Sequence, residues 1–274
     1  MEGAVMNAAA GTMEAVAATA TAKPILETDD VKVAFDGFYA LGGVSLAVMP
    51  GELRVIIGAN GAGKSTLLDV ICGKTRPKSG RVIFEGQDIT GMTEHMRVRA
   101  GIGRKFQTPS VFREMTVRDH LKLASAREFR VFENLFRRKS IALNDVETQT
   151  AERIGLAGKL DTPASALSHG QLQWLELGMV LVQSPKLVLL DEPTAGMTHA
   201  ETEKTAEILQ GLAGSHTVLV IEHDMSFVRQ ICRKITVLHM GRVLVEGSAQ
   251  EVERNPKVIE AYLGKAGISD AAAS

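Results

Sequence analysis

Positive charge in excess is the first thing this 274-residue chain lacks: 31 Lys and Arg stand against 32 Asp and Glu, a formal net charge of -1. The broad positive field that marks a nucleic-acid-binding face is therefore missing, and nucleic acid is not an expected partner. Cysteine is scarce too. Cys72 and Cys232 each stand beside an isoleucine, with no second Cys or His at metal spacing, which reads as core thiols in a reducing compartment rather than a disulfide or a zinc site. No uninterrupted apolar run approaches the ~20 residues that span a bilayer, so any membrane role is expected to be peripheral. The first 23 residues, MEGAVMNAAAGTMEAVAATATAK, contain no Arg, no Lys before Lys23 and no compact apolar segment. That excludes a standard signal peptide, and residues 1–24 are expected to form a disordered tail.

What the chain does have is the composition of a globular domain, 45% hydrophobic and 23% charged, enough to bury a core. From Val31 on, short apolar runs (VKVAF, VSLAVM, LRVIIG, GRVIFEG, GIGRKF) read as strands, and KSTLLDVICG as a helix closed by Gly73 and Pro77. After a middle stretch of helical period, strands KLVLLDE, TVLVIEH, ITVLH and RVLVEG alternate with helices HAETEKTAEILQGL and DMSFVRQICRK. Uniformly apolar strands alternating with helices imply a largely parallel sheet covered on both faces. The expected organisation is an α/β domain over residues 25–274 with a helical subdomain inserted at about residues 108–175.

Three pieces carry chemistry. Residues 58–65, GANGAGKS, run from a strand into a helix and satisfy G-x-x-x-x-G-K-[ST]. The glycines let backbone amides wrap phosphates, Lys64 reaches the terminal phosphates and the Ser65 hydroxyl can ligate Mg²⁺. Next, LVLLDE ends an apolar strand in Asp191 and Glu192. Strand carboxyl ends border the ligand crevice of such sheets, so Asp191 is the candidate metal anchor and Glu192 the candidate general base, although an acid pair after a strand also serves simply as a helix cap. Third, His223 closes the strand TVLVIEH and Gln107 follows GIGRKF. A lone His or Gln in such a place is ordinarily structural, and both gain weight only from their order along the chain.

That order, from phosphate loop to Gln107, then SHGQ opening a helix, then Asp191-Glu192, then His223, resembles the ATP-binding-cassette ATPases over about residues 25–264. The resemblance implies a P-loop NTPase core with a mixed, largely parallel sheet, an antiparallel β subdomain and the inserted helical subdomain. It further implies that ATP is bound by Gly58, Asn60, Gly61, Gly63, Lys64, Ser65 and Thr66, with Mg²⁺ on Ser65, Gln107 and Asp191. Lys64, Gln107, Glu192 and His223 would be the catalytic set. Residues 167–171 would form the signature motif, whose Ser168, Gly170 and Gln171 cap ATP held by a second subunit, and residues 195–198 the D-loop. Phe35 occupies the position of the family's adenine-stacking aromatic; from its own sequence context it is equally a core residue.

The chain departs from the family in three places. His169 replaces the first signature Gly, Trp174 replaces an Arg three residues after Gln171, and Thr198 stands where Asn or Asp is common. With GIGRKFQTPSVF, the Ala195-Gly196-Met197 run and the terminal EAYLG, these features resemble the ATPase subunits of branched-chain amino acid and, most closely, urea importers, SHGQ and Trp174 being most like the D-type subunit. That implies an ATPase on the cytoplasmic face of the inner membrane. Its partners would be a distinct E-type ATPase subunit, two permease subunits and, indirectly, a urea- or amide-binding protein outside the membrane. The alternative within transport is the branched-chain amino acid importer. Phe129, Phe132, Leu135 and Phe136, amid Arg127, Arg130, Arg137, Arg138 and Lys139, suggest either a membrane-partner face or plain subdomain packing, and residues 108–115 are the stronger contact candidate. Trp174 is read as a packing residue.

Overall fold

The computed structural model describes residues 23–105, 111–126 and 142–263. Two sheets organise them. A four-stranded antiparallel sheet runs β2-β1-β4-β5, from β1 (Leu26–Phe35), β2 (Phe38–Val48), β4 (Ser79–Phe84) and β5 (Gln87–Asp88). A six-stranded sheet runs β10-β9-β3-β8-β7-β6. In it β3 (Leu53–Ile57), β6 (Ile102–Arg104), β7 (Leu187–Asp191), β8 (Thr217–Ile221) and β9 (Lys234–His239) are parallel, and β10 (Arg242–Gly247) closes the edge antiparallel to β9.

The uniformly apolar strands are buried on both faces, as their sequence requires. Val188 and Leu190 of β7 and Val218 and Val220 of β8 join one core. Their neighbours Leu187, Leu189, Leu219 and Ile221 join the other. Side chains alternate across a strand with period two, so the split identifies two covering layers. The first core holds α5 (His169–Leu181), α6 (His199–Leu212) and α7 (Met225–Ile231); the second holds α1 (Lys64–Cys72) and the antiparallel sheet. Cys72 is buried and Cys232 partly so, with burial pushing the Cys232 thiol up to about 11, which suits inert core thiols.

Two buried arginines tie neighbouring elements together. Arg54 of β3, fully buried, donates from Nε to Glu52 (2.5 Å), from Nη1 to Thr236 (2.9 Å) and Glu246 (2.5 Å), and from Nη2 to the Ala47 carbonyl (3.1 Å). Arg97, on α2 (Glu94–Ala100), donates to the Val70 and Ile71 carbonyls at the end of α1 (2.6 and 3.0 Å) and to those of Thr90 (3.1 Å) and Met92 (3.2 Å). Helix ends leave carbonyls without intrahelical partners, and a cation there also complements the helix dipole.

Between the paired strands β6 and β7 the chain leaves the sheet through α3 (Val117–Ser125), α4 (Asp145–Arg153) and α5. All three begin on capping boxes, Thr116 with Asp119, Asn144 with Glu147 and Ser168 with Gln171, which satisfy amides at each helix start. A Cβ on Gly178 would lie 2.5 Å from Ile154 Cδ1, so α5 and the end of α4 pack backbone to side chain. The described residues close with α8 (Ala249–Arg254) and α9 (Pro256–Leu263). No helix among the described residues is long and apolar enough to cross a membrane.

Candidate functional site

Strand order decides where the site lies. β3, β8, β7 and β6 are consecutive neighbours, so the loop after β3, the acids ending β7 and the residues after β8 emerge at one carboxyl edge. The β3 loop turns into α1 at Gly63, whose φ of 101° is left-handed and which supplies no side-chain cap. The first amides of α1 therefore face outward with the positive end of the helix dipole, an anion-binding arrangement. Only glycine fits at two points: a Cβ would meet the Leu238 carbonyl at 2.3 Å from Gly58, and the Ala40 carbonyl at 2.5 Å from Gly63. Lys64 is buried and folds back over the loop, donating to the carbonyls of Gly58 (2.7 Å) and Ala59 (3.3 Å). Burial lowers its pKa, and the nearby Glu192 and Asp191 carboxylates oppose that shift.

Asp191 is buried, and its Oδ1 accepts from the Ser65 hydroxyl at 3.5 Å. Burial raises the Asp191 pKa, against the Ser65 hydrogen bond and the Arg104 charge. A hydroxyl and a carboxylate side by side are hard oxygen donors of the kind Mg²⁺ takes when phosphates complete its shell, so these residues fit the ion. Arg104 reaches Asp191 Oδ2 from Nη2 (3.7 Å) and bonds Asp69 and the Cys72 sulfur (3.1 Å) from Nη1. It thereby links the end of β6 to α1 and β7.

Glu192 adopts φ 48°, a left-handed backbone uncommon outside glycine. Its amide still donates to the Ile221 carbonyl (3.0 Å), extending the β7–β8 ladder by one residue. His223 Nδ1 lies 3.7 Å from Glu192 Oε1, and the His223 side chain is exposed. Behind them sits Glu222, fully buried, which the sequence reasoning missed. Its Oε1 accepts from the Thr194 hydroxyl (2.6 Å) and amide (3.3 Å), and its Oε2 from the His223 amide (3.1 Å). One carboxylate thus fixes the turn after Glu192 and the backbone of His223. A charged residue closing the otherwise apolar run TVLVI was the available signal.

The SHGQ run forms the start of α5. Ser168 caps the helix, with its Oγ accepting from the Gln171 amide (3.3 Å) and the Gln171 side chain accepting from the Ser168 amide (3.1 Å). The Ser168 hydroxyl and the Gly170 amide donate to Glu201 Oε1 of α6 (2.7 and 3.2 Å). These bonds and those from Thr198 lower the Glu201 carboxyl to about 2, the Ser168 hydrogen bond contributing most. His169 Nε2 lies 3.1 Å from the Ala195 carbonyl and 3.3 Å from Gln173 Nε2. Gln173 also accepts from Lys105, a buried residue paired with Glu176 at 3.4 Å. The segment before Gln107, the SHGQ helix and the turn at Ala195 are therefore joined by side chains. Trp174 packs in the core with its Nε1 donating to Thr205 Oγ1 (2.9 Å), in agreement with the packing reading.

Phe35 is not a core residue: it is 52% exposed at the β1–β2 hairpin, beside exposed Phe38 and Tyr39. The strand β2 continues from there to Ala40, against Gly63 of the loop. Gln107, residues 108–110, the stretch containing Phe129, Phe132, Leu135 and Phe136, most of the tail and Gly264 lie outside the described residues. Of the 108–115 segment, Phe112 is exposed and its amide donates to His120 Nε2 (2.9 Å).

Comparison with known proteins extends these observations. The ABC transporter family model matches residues 41–195, and a model for the branched-chain amino acid ATP-binding cassette transporter matches residues 242–268. The chain is 35% identical over 253 residues to the high-affinity branched-chain amino acid transport ATP-binding protein LivG of Escherichia coli, covering 89% of this chain and 99% of that protein. It is 34% identical to the corresponding protein BraF of Pseudomonas aeruginosa, with the same coverage. Among solved structures, an ATP-binding cassette of an ABC transporter in its ADP conformation superposes with a TM-score of 0.76 at 33% identity, covering 88% of this chain and 99% of that one.

Proposed function

The chain belongs to the ABC transporter family, as the ATPase subunit of an importer, and on that premise we propose that the solute it helps to import is a branched-chain amino acid. The observation that carries this is the match of residues 242–268 to the branched-chain amino acid cassette model, beside relatives of that same type. The urea-type branch expected from SHGQ and Trp174 has no support in these relatives. Trp174 is buried in packing and carries no information about a solute.

In the proposed mechanism the ATP phosphates lie along residues 58–66, and the Lys64 ammonium exchanges the Gly58 carbonyl for phosphate oxygens. Ser65 and Asp191 would hold Mg²⁺, together with Gln107 by family resemblance; the ion supplies charge neutralisation at the phosphates. Glu192 takes a proton from the attacking water, and His223, 3.7 Å from its carboxylate, faces the same edge. Phe35 stacks on adenine. Ser168, Gly170 and Gln171 cap the ATP of a facing ATPase subunit with hydroxyl and helix-start donors. Closure of that pair drives two permease subunits on the cytoplasmic face of the membrane, which receive solute from a binding protein outside it.

The test is uptake by membrane vesicles containing the chain with the permease and binding protein that co-purify with it. Labelled leucine should enter only with ATP, and not with Glu192→Gln. ATP-driven uptake of urea without leucine would overturn the proposal.

A further inference from the structure

The donors that the proposed function assigns to a facing subunit's ATP are engaged here by a carboxylate of the same chain. Glu201 Oε1 accepts from the Ser168 hydroxyl and the Gly170 amide, 2.7 and 3.2 Å away. Its Oε2 accepts from the Thr198 amide and hydroxyl at 3.0 and 2.9 Å, closing the capping box of α6. The approach is so close that a Cβ on Gly170 would stand 2.5 Å from Glu201 Cδ. A carboxylate oxygen receiving one O–H and one backbone N–H at a helix start makes the contact a phosphate oxygen would make there.

We propose that Glu201 is a positioning residue that stands in for the γ-phosphate, holding the Ser168 and Gly170 donors in place and yielding them when the two ATPase subunits close on ATP. The inference rests on the signature assignment made above. Two anions cannot share one pair of donors, so Glu201 Oε1 has to withdraw as phosphate arrives. The side chain stays tethered through Thr198, and its charge adds repulsion to the approaching phosphate. An internal ligand of this kind lowers apparent affinity by the fraction of time it holds the site.

Glu201→Gln separates the roles. Gln has a single side-chain oxygen, and closing the capping box as Glu does turns that oxygen to Thr198, so α6 keeps its start; the amide nitrogen then faces the Gly170 N–H, donor against donor, and no charge remains to hold Ser168 and Gly170 or to repel phosphate. Charge-assisted bonds are roughly twice as strong as neutral ones. For the full-length chain assembled with the subunits that co-purify with it, kcat/KM for ATP should therefore rise about fivefold, through a lower KM. A raised or unchanged KM, or a fall in kcat, would overturn the proposal and leave Glu201 a structural cap. Ser168→Ala in the same assay tests the underlying assignment: it should raise KM for ATP, and if it changes neither constant the signature reading itself fails, whatever Glu201→Gln does.

Discussion

Glu222→Gln should cost both stability and turnover, and the structure sets how much. The wild-type carboxylate, fully buried, receives the Thr194 hydroxyl and amide on one oxygen and the His223 amide on the other. An amide oxygen turned toward Thr194 keeps the first two as neutral bonds, each weaker by about 1 kcal/mol. The amide nitrogen then faces the His223 N–H, donor against donor, and that buried bond is lost for about 1–3 kcal/mol. Relief from burying a charge offsets part of this, leaving a net destabilisation of about 2 kcal/mol. For a domain of this size each kcal/mol moves Tm by about 2–4 °C, so calorimetry should find the midpoint lowered by about 4–8 °C. Turnover should fall about tenfold with little change in KM, because Thr194 and His223 flank Glu192 without holding the nucleotide. A Tm within one degree of wild type together with unaltered kcat would refute the reasoning.

Other outcomes follow from neighbouring geometry. Glu192→Gln should abolish steady ATP hydrolysis while leaving ATP affinity, read by calorimetric titration, intact, in contrast to Lys64→Ala, which should weaken ATP binding at least about tenfold with Tm hardly moved. Trp174→Phe removes the hydrogen bond to Thr205 and leaves a smaller ring in a tight core; a urea series followed by circular dichroism should show a loss of about 1–3 kcal/mol. The Glu201 carboxyl, lowered from 4.5 to about 2, contributes stability that is whole above pH 4.5 and lost as pH falls toward 2. Glu201→Gln should flatten the pH dependence in that window, measured by Trp174 emission.

What was legible in the sequence was what the backbone dictates locally. The glycines of residues 58–63, the apolar run into Asp191 and Glu192, and the helix start at SHGQ specify their own conformations within a few residues. Partnerships were not legible. Thr194 meets Glu222 across 28 positions, Ser168 meets Glu201 across 33, Arg104 meets Asp69 across 35 and Lys105 meets Gln173 across 68. Each joins residues that look like ordinary polar surface positions until the fold brings them together. The exposure of Phe35 had the same status, since only the hairpin in which it sits separates an open aromatic from a core one. The urea branch misled for another reason: it rested on Trp174, whose surroundings are a helix-to-helix contact, and on SHGQ, whose Ser168 and Gly170 engage the Glu201 carboxylate of the same chain.

The clamp of Arg97 on the far end of α1 gives that helix a mechanical character. Nine residues at 1.5 Å per residue make a rod of about 13 Å, gripped at one end by the glycine loop against Leu238 and Ala40, and at the other by a guanidinium holding four carbonyls. A rod pinned at both ends does not absorb a push by bending. A force that a bound triphosphate exerts on the loop would therefore reach, through the helix, the turn at Thr90 and Met92 at its other end.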